Sequence, residues 1–344
     1  METKYNGKKL KNQDLAGKID KHVSERTAQR IGECNDIMSF IADDDCTKSR
    51  QIYGNSCKNR FCPICMFRLS KKDALKFSIM MQYLEDTYNV SFIMVTLTAP
   101  NVKGCELKES INQFNKALKN MEKRDIVKKM NKGYMRKLEV TYNSDEIITH
   151  DMWHGLNGRR PTGDYFERKG LKIGDKNPSY DTYHTHFHVI FSVNKSYFTS
   201  RDYVKQSEWL DLWRDVMNDD NITQVDVRRV KKGTNGKGSD MREIAKYAAK
   251  DADYLVSQNV FDVFYASLKG RQIITFNKLF AEANRKYKAG ELDHYKTLDT
   301  TEYQYLMSYL WGGAIYNETE RRKLTDEEKA RFNNRLVDEV DIET

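Results

Sequence analysis

With 344 residues, 39% of them hydrophobic and 31% charged, the chain has room for one large domain or two modest ones and the polarity of an ordinary globular protein. Apolar runs stay short of the roughly 18 residues a membrane-spanning helix needs, and the opening METKYNGKKLKNQDLAGKID lacks a signal-peptide core, which predicts a cytoplasmic protein without a membrane partner. The net charge of +8 permits a polyanionic partner without requiring one.

Taken in chain order, the first element is a helix around SERTAQRIGECNDIMSFIA, residues 24–42, followed by a cysteine-bearing segment at 46–65. Ser70 reads as the N-cap of a helix whose apolar stripe holds Leu75, Ile79 and either Met80 or Tyr83. VSFIMVTLTAP, rich in β-branched residues and closed by Pro100, predicts a strand; a helix follows at about 108–130, and YMRKLEVTYN is the next strand. Residues 144–180 carry the turn signals HGLNGRRPTGD and KIGDKNP, an excursion long enough to be functional or mobile. The segment YHTHFHVIFSVN is a third strand, and Trp209, Leu210, Leu212, Trp213 and Val216 repeat at helical spacing. ITQVDVRRV is a fourth strand, running into the basic glycine loop KKGTNGKG, and DMREIAKYAAKDADYL is helical. Beyond residue 260 the pattern predicts a short β-like piece and helices.

No phosphate-binding glycine loop joins a strand to a helix, so the alternation favours an α+β fold with a mainly antiparallel sheet over a parallel one. The divisions expected are a variable helical segment at 1–45, a cysteine-rich module with its helix at 46–85, a main domain at 86–260 and a helical C-terminal region at 261–344.

Six cysteines in a chain without a signal peptide read as thiols or metal ligands rather than disulfides. The Cys62-Pro-Ile-Cys65 knuckle can grip one tetrahedral Zn²⁺, with Cys57 and Cys46 as the remaining ligands and Cys34 a competitor for the fourth place. Lys58, Arg60, Arg68, Lys71 and Lys72 nearby make the module a candidate contact for a DNA backbone.

Of seven histidines, three are His184, His186 and His188. Alternation along a strand puts His186 and His188 on one face, with Phe187 on the other. With a carboxylate such as Glu139, mid-strand between Leu138 and Val140, they form a three-ligand site with open positions suited to Mn²⁺ or Mg²⁺. His184 shares their face without an assigned role. On the helix near residue 250, Glu243 and Tyr247 are i and i+4, Lys250 lies one turn further, and Tyr254 is a rival for any nucleophilic role.

HFH within YHTHFHVIFSVNKSYF, preceded by VTLTAPN and LEVTYN and followed by EIAKYAAKDADY, resembles the rolling-circle plasmid replication initiators of the HUH endonuclease superfamily, the single-tyrosine type of Gram-positive plasmids. The resemblance runs from about Cys57 to Phe280 and includes CKNRFCPIC. It implies the antiparallel HUH palm, His186, His188 and Glu139 as ligands of Mn²⁺ or Mg²⁺, and Tyr247 as the nucleophile of a 5′-phosphotyrosyl intermediate that leaves a 3′-OH primer. Glu243 activates the terminating water and Lys250 sits beside the phenol. Arg228, Arg229, Lys231, Lys232 and Lys237 in RRVKKGTNGKG are expected to track the DNA backbone. The partners implied are plasmid origin DNA, single-stranded or extruded as a hairpin, and the host helicase and polymerase, with a dimer among the possible assemblies. Two alternatives share parts of the pattern: a single-tyrosine HUH transposase or relaxase, and a zinc-containing origin-binding regulator without cleavage activity.

Overall fold

The structure is a computed structural model and describes residues 2–157, 161–230 and 251–339. Its centre is a five-stranded antiparallel sheet in the order β6-β3-β5-β4-β7, formed by β3 (Val90–Thr98), β4 (Gly133–Asn143), β5 (Thr182–Asn194), β6 (Val225–Arg229) and β7 (Ile274–Phe276). The α+β architecture with a mainly antiparallel sheet is as expected. Strands β3 and β5 are buried over almost their whole length, because helices cover both faces of the sheet.

The two faces differ in chemistry. One carries Val95, Leu97, Leu138, Val140, Phe187, Val189 and Phe191, packed under α4 (Leu107–Met121) and α8 (Gln206–Met217). Phe114 meets Phe187 and Trp213 edge-on there, each pair of ring centroids 5.3 Å apart. The other face begins apolar, with Phe92, Met94, Met135 and Ile190 under α3 (Pro63–Tyr88), and then turns polar along the same strands. Period-two alternation makes this division: the residues that continue Met94, Ile190 and Met135 along the same face are Thr96, His188 and Lys137.

Helix α3 starts at Pro63, a residue pre-set for the first helical position, and not at Ser70, whose hydroxyl donates to the Phe67 carbonyl at 2.8 Å inside the helix. Leu75, Ile79, Met80 and Tyr83 are all buried, as the stripe requires. The helix expected at about 108–130 is two, α4 and α5 (Asp125–Met130). The excursion between β4 and β5 folds on itself, with short helices His150–His154 and Gly163–Arg168 around Ile148, Met152 and Phe166.

Two expectations are corrected at the ends of the chain. The helix expected at 24–42 is α2 (Glu25–Gly32) and stops at Gly32, and IMSFIA is the strand β1 (Ile37–Ala42), hairpinned to β2 (Ser49–Gly54). The region after residue 260 keeps helices Gln258–Leu268, Lys278–Lys288 and Asp326–Phe332, but it also holds strands β9 (Tyr305–Trp311) and β10 (Tyr316–Lys323). These complete a second antiparallel sheet in the order β10-β9-β1-β2. Short apolar runs such as IMSFIA and YLMSYLW suit either helix or strand by periodicity, and each becomes a strand here because the other is available to pair with it. Among the described residues no helix is long and apolar enough to cross a membrane.

Candidate metal centres

Antiparallel pairing builds the first centre. Register sets Glu139 of β4 opposite His186 of β5, and Thr96 of β3 opposite His188. Donor atoms of Glu139, His186 and His188 lie within 4.8 Å of one another, close to the spacing that three ligands about 2.1 Å from one hard cation require. His188 Nε2 is 2.8 Å from a Glu139 carboxylate oxygen, the diagonal contact that neighbouring strands allow. Thr96 Oγ1 lies 3.3 Å from His188 Nδ1; it can donate to Nδ1 while Nε2–H donates to Glu139, and can accept the Nδ1 proton when a cation takes the Nε2 lone pair. The N, N, O donor set therefore fits a divalent cation.

Both Glu139 and His188 are buried, and His186 is half-buried. Burial raises the Glu139 carboxyl's proton affinity, but the hydrogen bond to His188 and the ammonium of Lys137 outweigh it, holding the group well below the usual carboxylate range. The carboxylate is thus anionic when a cation arrives. His184 stands outside the three-residue cluster, yet its Nδ1 is 2.7 Å from His186 Nε2. Burial lowers the His184 pKa, so the neutral imidazole orients the His186 ring without adding charge.

A β-hairpin builds the second centre. Cys34 precedes β1 and Cys57 follows β2, so antiparallel pairing brings both to the hairpin base, where Cys62 and Cys65 stand at the start of α3. The sulfurs of Cys34 and Cys65, Cys34 and Cys62, and Cys57 and Cys65 are 3.5, 3.6 and 3.7 Å apart. A tetrahedron of thiolates about 2.3 Å from one ion has edges near 3.8 Å, so the four fit a metal. Backbone N–H groups of Cys57 and Lys58 donate to Cys34 Sγ and Cys65 Sγ at 3.3 Å. The Lys9 ammonium, buried under the module, pairs with Asp36 at 2.6 Å and donates to the Cys34 carbonyl. Cys46 is not a member. It lies in the turn between β1 and β2, the end of the hairpin remote from the other four cysteines, and Cys34 takes its place.

The remaining site residues divide. Arg228 shares the polar sheet face, being opposite Met94, and forms an ion pair with Asp226 at 3.5 Å. Arg229 points the other way, over the Phe198 ring at 5.0 Å. Lys231, Lys232, Lys237, Glu243, Tyr247 and Lys250 lie outside the described residues. Tyr254 is described and buried: its hydroxyl donates to the Phe61 carbonyl at 2.6 Å, and its ring packs against Phe61, Phe261 and Phe264. Two residues that the sequence reading passed over are Thr96 and Lys137; their places opposite His188 follow only from the strand register.

A family model described as "Replication protein" matches residues 48–316. The chain is 39% identical over 257 residues to the Protein rep of Staphylococcus aureus, covering 74% of this chain and 96% of that one. It is 29% identical over 289 residues to a Protein rep of Bacillus amyloliquefaciens, covering 78% and 75%. A Protein rep of Streptococcus pneumoniae is 29% identical over 298 residues, covering 84% and 81%. No solved structure matches the chain. Covering the Glu139, His186 and His188 cluster and three of the four clustered cysteines, the match establishes that the chain belongs to this replication protein family, the plasmid Rep initiators its motifs resemble.

Proposed function

We propose that the chain initiates rolling-circle plasmid replication by cutting and rejoining one strand at the origin, with Tyr247 as the nucleophile. The observation that carries this reading is the Glu139–His186–His188 cluster, preorganised on a rigid sheet with Thr96 and His184 holding its imidazoles. Mn²⁺ or Mg²⁺ is the ion its hard donors suit, and Zn²⁺ the ion for the four cysteines. A buried, hydrogen-bonded Tyr254 leaves Tyr247 as the phenol of this segment to carry the chemistry. Asp253, which accepts from the Tyr142 amide at 3.4 Å on the strand that bears Glu139, tethers the end of that segment to the same sheet.

In the reaction, the Tyr247 oxygen forms a bond to phosphorus while the bond from phosphorus to the 3′-oxygen breaks. The phenol proton is released, the Lys250 ammonium favours the phenolate, and the departing 3′-oxygen takes a proton from water. The new ester conserves the bond energy, so no nucleotide cofactor is consumed. In termination, Glu243 accepts the proton of a water whose oxygen bonds to phosphorus at the regenerated origin as the bond from phosphorus to the 3′-oxygen breaks; the freed 3′-hydroxyl then attacks the phosphotyrosyl phosphorus, closing the strand and returning its proton to the departing Tyr247 oxygen. Cytoplasmic origin DNA, single-stranded or extruded, is the substrate, with the host helicase and polymerase acting downstream.

Incubation with labelled single-stranded origin DNA and Mn²⁺ is expected to yield a protein–DNA adduct that survives denaturation and is absent in EDTA. Binding without any adduct would instead identify a regulator that does not cut. Glu243→Ala should leave the first cut intact and impair termination, read from the products of one replication round. His188→Ala should weaken Mn²⁺ binding at least about a hundredfold by calorimetry, and Thr96→Val about tenfold, since one removes a ligand and the other its orienting partner.

A further inference from the structure

A cavity of about 390 Å³ lies between the first half of α3 and the strand that carries Glu139. That volume falls in the range of about 300–1,000 Å³ that holds small organic ligands. Met66, Leu69, Ile273 and Ile274 provide apolar walls. Asp73 of α3 and Lys137 of β4 supply its inner polar groups, and the exposed Lys58 and Arg60 lie at its outer edge. Among the described residues, Asp73 is a half-buried carboxyl with no hydrogen bond or ion pair; burial pushes its pKa up to about 6 against the pull of the Lys76 and Lys137 ammonium groups.

The cavity adjoins the histidine cluster. Lys137 is two residues from Glu139 on one strand, hence on the same face, and opposite His188 in register. Its charge acts on both carboxyls, Asp73 in the cavity and Glu139 in the cluster. An apolar-walled cavity with a half-buried carboxyl beside a buried ammonium, cations at its edge and a metal-ligating cluster beside it has the chemistry of a nucleobase site. The walls take the base faces, the carboxyl reads an edge, and the cations take the flanking phosphates.

We propose that this cavity receives one unstacked base of the single strand next to the bond that is cut, and that Asp73 selects guanine there. Guanine alone presents two N–H donors side by side on its Watson–Crick edge, matching the two oxygens of one carboxylate. Adenine and cytosine offer a single amine beside an acceptor nitrogen, and thymine flanks its N–H with carbonyls that repel the carboxylate. The inference rests on the strand-cutting function proposed above and adds a specificity residue to it.

The test is binding of the full chain to labelled thymidine oligonucleotides that carry one central dG, dA or dC, or none, measured by fluorescence anisotropy without added Mn²⁺ or Mg²⁺. Without a free divalent ion no strand is cut, so the readout is independent of cleavage. The dG strand is expected to bind about tenfold more tightly than the all-thymidine strand, in line with a bidentate base contact. Asp73→Asn should erase that preference, leaving the four strands within about a factor of two of one another. Equal binding of all four strands by the unaltered protein, or a dG preference that survives Asp73→Asn, overturns the assignment while leaving the proposed cutting activity standing. Failure to bind any strand also overturns the assignment, while the adduct assay with origin DNA decides the cutting activity separately.

Discussion

Replacing Tyr247 by phenylalanine is expected to abolish the covalent protein–DNA adduct and to lower origin nicking by about a thousandfold or more, as removal of an enzymatic nucleophile generally does. Binding of the origin strand should persist, because the ring and the basic surface remain. Tyr254→Phe is the matched control. Its hydroxyl satisfies the Phe61 carbonyl inside the core, so the loss costs stability of about 1–2 kcal/mol, seen as a lower melting temperature. Nicking at a permissive temperature should be retained. Undiminished nicking by Tyr247→Phe would remove that residue from the mechanism, and loss of the adduct in a folded Tyr254→Phe protein would reassign the role.

The second large effect concerns the cysteine cluster. With zinc as the proposed ion of this cluster, Cys34→Ser is expected to abolish tight zinc binding and to melt the hairpin–helix module, since the binding free energy of a structural zinc, on the order of 10 kcal/mol, is also folding free energy. Cys46→Ser, in the turn of the same hairpin, should keep full zinc content and an unchanged unfolding midpoint. Zinc released on unfolding, measured with a chromogenic chelator, separates the two variants. Zinc retained in Cys34→Ser but lost in Cys46→Ser would reverse the ligand set. The effect should reach beyond the module, because Cys62 opens α3, and α3 covers the apolar half of the central sheet.

The order of variants by effect follows from depth. Cys34 is fully buried and touches three other sulfur-bearing groups, whereas Cys46 is half-buried with the Arg321 guanidinium at 3.9 Å as its polar neighbour. Thr96 touches the cluster at His188 Nδ1, so its loss is expected to change metal affinity rather than remove a ligand.

Much of this protein was legible in one dimension. Four strands of the central sheet have enough β-branched and aromatic residues to declare themselves, and the strand period alone puts His186 and His188 on one face. The Cys62–Cys65 pair announces a metal knuckle from its spacing, and all six cysteines are free thiols in the structure. These features depend on neighbours within a few residues, which is why sequence suffices for them.

What the sequence left open depends on residues far apart. The choice of Cys34 over Cys46 is made by a hairpin whose pairing brings its two ends together and carries its turn away, and that hairpin was hidden by an apolar run with no decisive period. The strand character of IMSFIA is settled by β9, whose Ser308 hydroxyl lies 3.2 Å from that of Ser39 across 269 residues of chain. Register, which no single strand contains, decided that Glu139 faces the histidines, that Thr96 and His184 orient them, and that Lys137 joins their cluster to the Asp73 cavity. Local pattern determined which residues carry chemistry; long-range strand pairing, an interaction between distant segments that each look self-sufficient, decided which of them meet.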